Sequence, residues 1–120
     1  MAQKRKVLVV DDNVELCKNM LDILEFKGYD AAIVHDGYQA IDAAKQGGFD
    51  VVVMDVNMPG MSGMDALKIL KQSVPGMTVI LMTAFANDAF YKEGLKKEVD
   101  YKVIQKPIDI DQLLAMLERV

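Results

Sequence analysis

Val7-Leu8-Val9-Val10-Asp11-Asp12, Val51-Val52-Val53-Met54-Asp55 and Val79-Ile80-Leu81-Met82-Thr83 share one form, four apolar residues in a row followed by a polar side chain. Short, near-continuous apolar runs suit parallel strands buried on both faces, whereas a half-exposed strand would alternate. Two weaker runs, Ala31 to Val34 and Tyr101 to Ile104, complete a set of five, and Lys102 in the last predicts an edge position. Between the runs, Leu16, Met20, Ile23 and Leu24 recur at helical spacing, as do Ile110, Leu113, Leu114 and Leu117. Asp36-Gly37-Tyr38-Gln39, Ser62-Gly63-Met64-Asp65 and Asp109-Ile110-Asp111-Gln112 read as capping boxes or close variants, and Gly28 and Gly47-Gly48 as stops. Asn87 to Val99 reads as a further helix, interrupted by Gly94, with a thin apolar face of Phe90, Tyr91 and Leu95. The order is therefore β-α repeated five times. Such alternation predicts an open, mostly parallel α/β sheet with helices on both faces, three layers in all. Function is then expected at the carboxyl ends of the strands.

Composition narrows the class of protein. The chain has 120 residues, 52% hydrophobic and 27% charged, and a formal net charge of −4. That predicts one domain over 1–120, large enough to bury roughly two-thirds of its unfolded surface without metal or disulfide staples. No apolar run approaches the ~20 residues that span a bilayer, and the run after Lys4-Arg5-Lys6 is too short for a signal-peptide core. The expectation is a cytoplasmic protein with no membrane contact. Cys17, alone, makes neither an internal disulfide nor a thiolate cage, and the acidic balance argues against nucleic acid as a partner.

Three acids, Asp11, Asp12 and Asp55, fall at strand ends and converge if the first and third strands are neighbours. Clustered carboxylates resist ionising together unless a cation is supplied. An oxygen donor set without a His or Cys cluster points to a hard divalent ion such as Mg²⁺. Each acid also has a plain structural explanation. Asp12-Asn13-Val14-Glu15 is itself a capping box, and Asp55 precedes the Met58-Pro59-Gly60 turn. Thr83 alone reads as a capping hydroxyl and Lys106 as a solvated cation. The set, however, supplies a carboxylate nucleophile, a metal site, a hydroxyl donor and an ammonium, the parts needed for phosphoryl transfer to Asp.

This ordered set resembles the receiver domain of bacterial two-component response regulators. The resemblance runs over essentially the whole chain and rests on Val9-Val10-Asp11-Asp12-Asn13, Asp55-Val56-Asn57-Met58-Pro59-Gly60-Met61-Ser62-Gly63, Thr83-Ala84 and Lys106-Pro107. It implies a flavodoxin-like (βα)5 fold with strand order 2-1-3-4-5. It also implies that Asp55 is the phosphoacceptor, that Asp12 ligates Mg²⁺ directly, and that Asp11 acts largely through a metal-bound water. The Asn57 carbonyl would be a further ligand, while Thr83 and Lys106 would each bond a phosphoryl oxygen. In the family the Lys-Pro bond is often cis. The implied donor is a phosphohistidine on a sensor histidine kinase or phosphotransfer protein. The implied output is a downstream protein or a fused effector domain, with a phosphorylation-dependent dimer among the forms it allows. At this length, any output is expected from a partner or from a segment outside the sequence.

The match departs from the family at the switch. Receivers commonly carry an aromatic residue three positions before the Lys, where this chain has Val103; Tyr101 lies two residues earlier on the same strand face. Glu98-Val99-Asp100 replaces the usual small pair before the fifth strand. His35 reads as a polar strand-end residue, Cys17 as a small packing residue, Met58, Met61 and Met64 as packing and loop residues, and Lys92 to Lys97 as a solvated helix face. Two alternatives stand beside the main reading. One is a Mg²⁺-dependent phosphatase with an Asp nucleophile, against which Asn57 stands where such enzymes carry a second acid. The other is a degenerate receiver serving as a constitutive interaction module, which the full acid, Thr and Lys set disfavours.

Overall fold

Five strands, β1 (Lys6–Val10), β2 (Asp30–Val34), β3 (Val51–Asp55), β4 (Thr78–Thr83) and β5 (Lys102–Gln105), form one sheet in the order β2-β1-β3-β4-β5. All pairings are parallel. Four described helices accompany them: α1 (Val14–Phe26), α2 (Gly37–Gln46), α3 (Gly63–Ser73) and α4 (Ile110–Glu118). The computed structural model describes residues 5–84 and 101–120. The expected helix over Asn87 to Val99, the Lys92 to Lys97 face and the Glu98-Val99-Asp100 segment lie outside the described residues. Both expectations for the sheet, its order and Lys102 on an edge strand, are met.

The apolar runs are continuous because the sheet is covered on both sides. Successive side chains point to opposite faces. Thus Leu8, Val10, Val52, Met54, Val79 and Leu81 pack with α2 and α3, while Val7, Val9, Val51, Val53, Ile80 and Met82 pack with α1 and α4. Leu8, Met54, Ile80 and Leu81 have no exposed surface. Truncating one of them to Ala would cost about 2–5 kcal/mol, since a close-packed interior relaxes only partly. Tyr101 lies just before β5 rather than within it and is buried in the α2–α3 layer, and Val103 is buried within the strand. Met58 is buried, and Met61 and Met64 pack against the same layer.

Helix starts follow the predicted caps with one shift. Asp36, Ser62 and Asp109 accept from the backbone N–H of Gln39, Asp65 and Gln112 at 2.8, 3.1 and 3.2 Å. The cap of α1, however, is Asn13, whose Oδ1 accepts from Leu16 N at 3.1 Å. Asp12 is therefore not the capping residue that Asp12-Asn13-Val14-Glu15 suggested. The cap moves on by one because Asn13 N–H bonds back to Asp11 Oδ1 at 3.0 Å, closing a local turn ahead of the helix. Asp12 is left exposed at the end of the sheet.

Gly63 shows why α3 begins where it does. Its N–H donates to Val56 O at 2.7 Å, and a Cβ there would overlap the backbone of Asp55 and sit 2.8 Å from Val56 Cα. Only glycine admits that approach, so this residue seats the helix start directly against the end of β3.

An acidic cluster at the strand ends

Register carries the site residues to one edge. Val10 pairs with Val34 on one side and Met54 on the other, Asp55 with Met82, and Thr83 with Gln105. Asp11, Asp55, Thr83 and Lys106 thus terminate or follow adjacent strands. The chain leaves β1 between β2 and β3, the switch point of the sheet, where open α/β folds place their sites.

Asp11 is fully buried and bonded at every polar atom. Its N–H donates to Val34 O at 3.3 Å, Oδ1 accepts from Asn13 N at 3.0 Å, and Oδ2 accepts from Lys106 Nζ at 2.9 Å. Lys106 Nζ also lies 3.2 Å from Asp55 Oδ2, so one ammonium bridges two carboxylates. Its own backbone N–H donates to Thr83 O at 2.7 Å, and the Lys106-Pro107 bond is cis. Asp55 Oδ1 accepts from Asn57 N at 3.4 Å. Thr83 is buried at the end of β4, and Asn57 is exposed in the loop after β3.

The charges do not balance. Asp11, Asp12 and Asp55 each offer an oxygen within 4.8 Å of the others, against, among the described residues, the one ammonium of Lys106. Burial pushes the Asp55 carboxyl above its usual range, and the Asp11 charge adds to this; Lys106 and the Asn57 N–H pull the other way. Burial by itself would lower Lys106, but the hydrogen bond to Asp11 and the charge of Asp55 outweigh it and raise the ammonium pKa. An all-oxygen set with surplus negative charge, one member exposed, fits a small hard cation such as Mg²⁺, which keeps several waters and takes one or two carboxylates.

Two further residues meet this site that the sequence reading assigned to packing and to a strand end. Cys17 Sγ donates to the Asp11 carbonyl oxygen at 3.3 Å, and His35 Nδ1 lies 3.0 Å from the same oxygen. Burial pushes the Cys17 thiol up to about 11, with the Asp11 charge acting the same way, so it stays protonated as a donor. His35 had one legible signal: it follows Val34 as Asp11 follows the paired Val10.

The sequence profile of the response regulator receiver domain matches residues 7–118. The transcriptional regulatory protein ZraR of Escherichia coli (strain K12) is 37% identical over 114 residues, 94% of this chain and 25% of that protein. The uncharacterized transcriptional regulatory protein YkoG of Bacillus subtilis (strain 168) is 34% identical, covering 96% of this chain and 50% of that one. The chain thus spans a quarter to a half of the length of these curated relatives. Among solved structures, the receiver domain of Francisella response regulator 1452 superposes with a TM-score of 0.86 at 31% identity, covering 97% of this chain and 95% of that one. Chemotaxis protein CheY4 of Vibrio cholerae gives 0.85 at 28% identity, with 98% and 99% covered.

Proposed function

The chain belongs to the response regulator receiver domain family of two-component signalling, and on that premise we propose that it is a phosphorylation switch with Asp55 as the phosphoacceptor. The observation that carries this reading is the bridge of Lys106 Nζ between Asp11 and Asp55 at the edge where Thr83 also ends its strand. We read residues 1–120 as a single receiver domain.

In the proposed reaction an Asp55 carboxylate oxygen attacks the phosphorus of a partner's phosphohistidine. The P–N bond breaks with its electron pair returning to the imidazole, and an acyl phosphate forms. Asp55 must be ionised to attack, which its raised pKa opposes until positive charge is supplied. Lys106 supplies part of it and is already 3.2 Å from the carboxylate, ready to follow a new phosphoryl oxygen. Asp11, Asp12 and Asp55, with the Asn57 carbonyl, would hold Mg²⁺, which when bound would supply positive charge to offset the negative charge gathered at the site. The Thr83 hydroxyl would donate to another phosphoryl oxygen, which would bias a pre-existing equilibrium of the domain rather than build a new fold. Water attack at phosphorus later returns the carboxylate and inorganic phosphate, so the state is timed by the domain itself.

A sensor histidine kinase or phosphotransfer protein is the proposed donor, and a downstream protein or fused effector domain the proposed output. A groove of ≈ 380 Å³ beside the acidic loop supports a protein donor. Leu16, Met20 and Ile23 of α1 and Ile108 and Ile110 ahead of α4 line it, and Asn13, which caps the helix next to Asp12, forms its near rim. Among the described residues no helix is long and apolar enough to cross a membrane. The test is incubation with acetyl phosphate and Mg²⁺ followed by intact mass measurement. One phosphoryl group added to the wild-type chain and none to Asp55→Asn is expected; an unmodified wild-type chain would refute the reading, and turnover of unrelated phosphate esters would favour a phosphatase.

A further inference from the structure

Among the described residues, Asp11 offers its backbone carbonyl to no backbone N–H in the strand ladders or the turns, although the residue is fully buried. A buried carbonyl with two lone pairs needs partners, and here both come from side chains. Cys17 Sγ approaches from the first turn of α1, and His35 Nδ1 from the loop between β2 and α2. A carbonyl oxygen can only accept, so the His35 proton in this contact sits on Nδ1. Neither donor is loose. Cys17 N–H bonds to Asn13 O at 3.1 Å within the helix, and His35 N–H bonds to Gln39 Oε1 at 2.9 Å, with Gln39 itself held by the Asp36 cap at 2.8 Å.

We propose that Cys17 and His35 are positioning residues for the cation site, which by fixing the Asp11 carbonyl set the direction in which Asp12 presents its carboxylate. The proposal rests on the acidic cluster being a Mg²⁺ site, as read above. The reasoning is geometric. A peptide unit is planar, so the direction of the Asp11 C=O fixes the plane that contains the nitrogen and Cα of Asp12. The carboxylate of Asp11 is already fixed by Asn13 and Lys106, and the Asn13 bond closes a turn across the Asp11–Asp12 peptide, but neither bond touches the Asp11 carbonyl oxygen itself. Asp12 is exposed and its carboxylate takes no part in the helix cap, so its aim depends on the backbone beneath it. Two donors arriving from separate elements on that oxygen hold the carbonyl end of the peptide as the turn holds its side-chain end. Packing alone would explain a buried Cys17, but not two polar donors converging on the peptide that precedes the exposed acid.

The test compares substitutions that keep the donor with those that remove it. Mg²⁺ affinity is measured by calorimetry on the wild-type chain, Cys17→Ser, Cys17→Ala, His35→Asn and His35→Leu, with melting temperature recorded for each. An Asn amide N–H can take the place of Nδ1–H. Removing an orienting partner of a metal ligand typically weakens binding by about tenfold or more, so Cys17→Ala and His35→Leu are expected to show about that loss, with the donor-keeping variants within about twofold of wild type. Unchanged affinity in both donor-removing variants, whatever their melting temperatures, would overturn the proposal. A second readout needs no variant: ¹⁵N shifts of the His35 ring in the wild-type chain should show Nδ1 protonated, and a bare Nδ1 would overturn it. A wild-type chain that binds no Mg²⁺ would remove the acidic-site reading as well, whereas wild-type binding with indifferent variants would remove this proposal alone.

Discussion

Lys106→Met isolates the electrostatic problem that the site must solve. The substitution keeps most of the apolar stem but removes the one ammonium that bridges Asp11 Oδ2 at 2.9 Å and Asp55 Oδ2 at 3.2 Å. The side chains concerned are 21% exposed for Lys106 and 1% and 10% for the two acids, so the loss leaves two nearly buried carboxylates facing each other. Breaking a buried pair by removing one partner costs about 3–5 kcal/mol, and the part of Lys106 that reaches water places this case near the lower end, about 3 kcal/mol. For a chain of this length the unfolding entropy is roughly 250 cal/mol/K, so the metal-free variant should melt about 12 °C below wild type at neutral pH. Mg²⁺ should reverse much of this. Any one-site ligand at a hundred times its dissociation constant stabilises by about 2.7 kcal/mol, and the variant should bind more tightly because no ammonium competes for Asp11 and Asp55. A double substitution, Lys106→Met with Asp55→Asn, should recover part of the loss without metal, because it removes one of the opposed charges. The assay is thermal unfolding followed by circular dichroism in EDTA and across a Mg²⁺ series. A variant as stable as wild type in EDTA, or a deficit that Mg²⁺ fails to narrow, would refute the charge accounting.

Asp55→Asn should raise the stability of the metal-free protein at neutral pH. The folded state holds the Asp55 proton to higher pH than the unfolded chain does, because of burial first and Asp11 second, so stability falls as pH rises through the window above 3.8 and stays reduced beyond it. Urea midpoints from acid to neutral pH in EDTA should show that slope weakened in the variant, and a variant less stable than wild type at neutral pH would contradict the sign. Gly63→Ala should cost about 3 kcal/mol, the upper part of the range for overpacking, because its obstacle is the backbone of Asp55 and Val56 rather than a side chain that can turn away. A melting temperature within a degree or two of wild type would show that α3 is not seated by that contact. Ile108→Glu, in the groove beside α1, should slow phosphoryl transfer from a phosphohistidine protein at least tenfold while leaving acetyl phosphate labelling near wild type, roughly the effect of losing one buried apolar anchor. Equal loss with both donors would argue against the groove as a protein contact.

Sequence and structure diverge at a few instructive places. The strands were legible because a sheet covered on both faces forbids alternation, and Val7 to Val10 or Val51 to Met54 have no other economical reading. That the first and third strands are neighbours was not contained in the apolar pattern; it came with the receiver resemblance, and the register of Val10 with Met54 bears it out. The cap of α1 was ambiguous by one residue because Asp12 and Asn13 both suit the role. The Asx turn from Asp11 to Asn13 decides it, a bond that depends on where the buried Asp11 side chain points. Convergence of Cys17 and His35 on one oxygen was beyond reach for the same reason: it follows from the direction of a carbonyl, and residue type does not encode that. The departure at Val103 is a matter of register as well as residue type. Val103 faces Leu81 across the strands, and Tyr101 is buried ahead of β5 in the same layer, so the aromatic ring lies two positions away from where the family usually carries it.

Chemical localisation of the modification tests the central claim most directly. The protein is labelled with acetyl phosphate in Mg²⁺, treated at once with borohydride, which reduces an acyl phosphate to an alcohol, digested, and sequenced by mass spectrometry. The account predicts homoserine at position 55, dependent on Mg²⁺ and absent when EDTA is present during labelling. Labelling that maps to Asp11, Asp12 or a histidine, or that proceeds unchanged in EDTA, would contradict it.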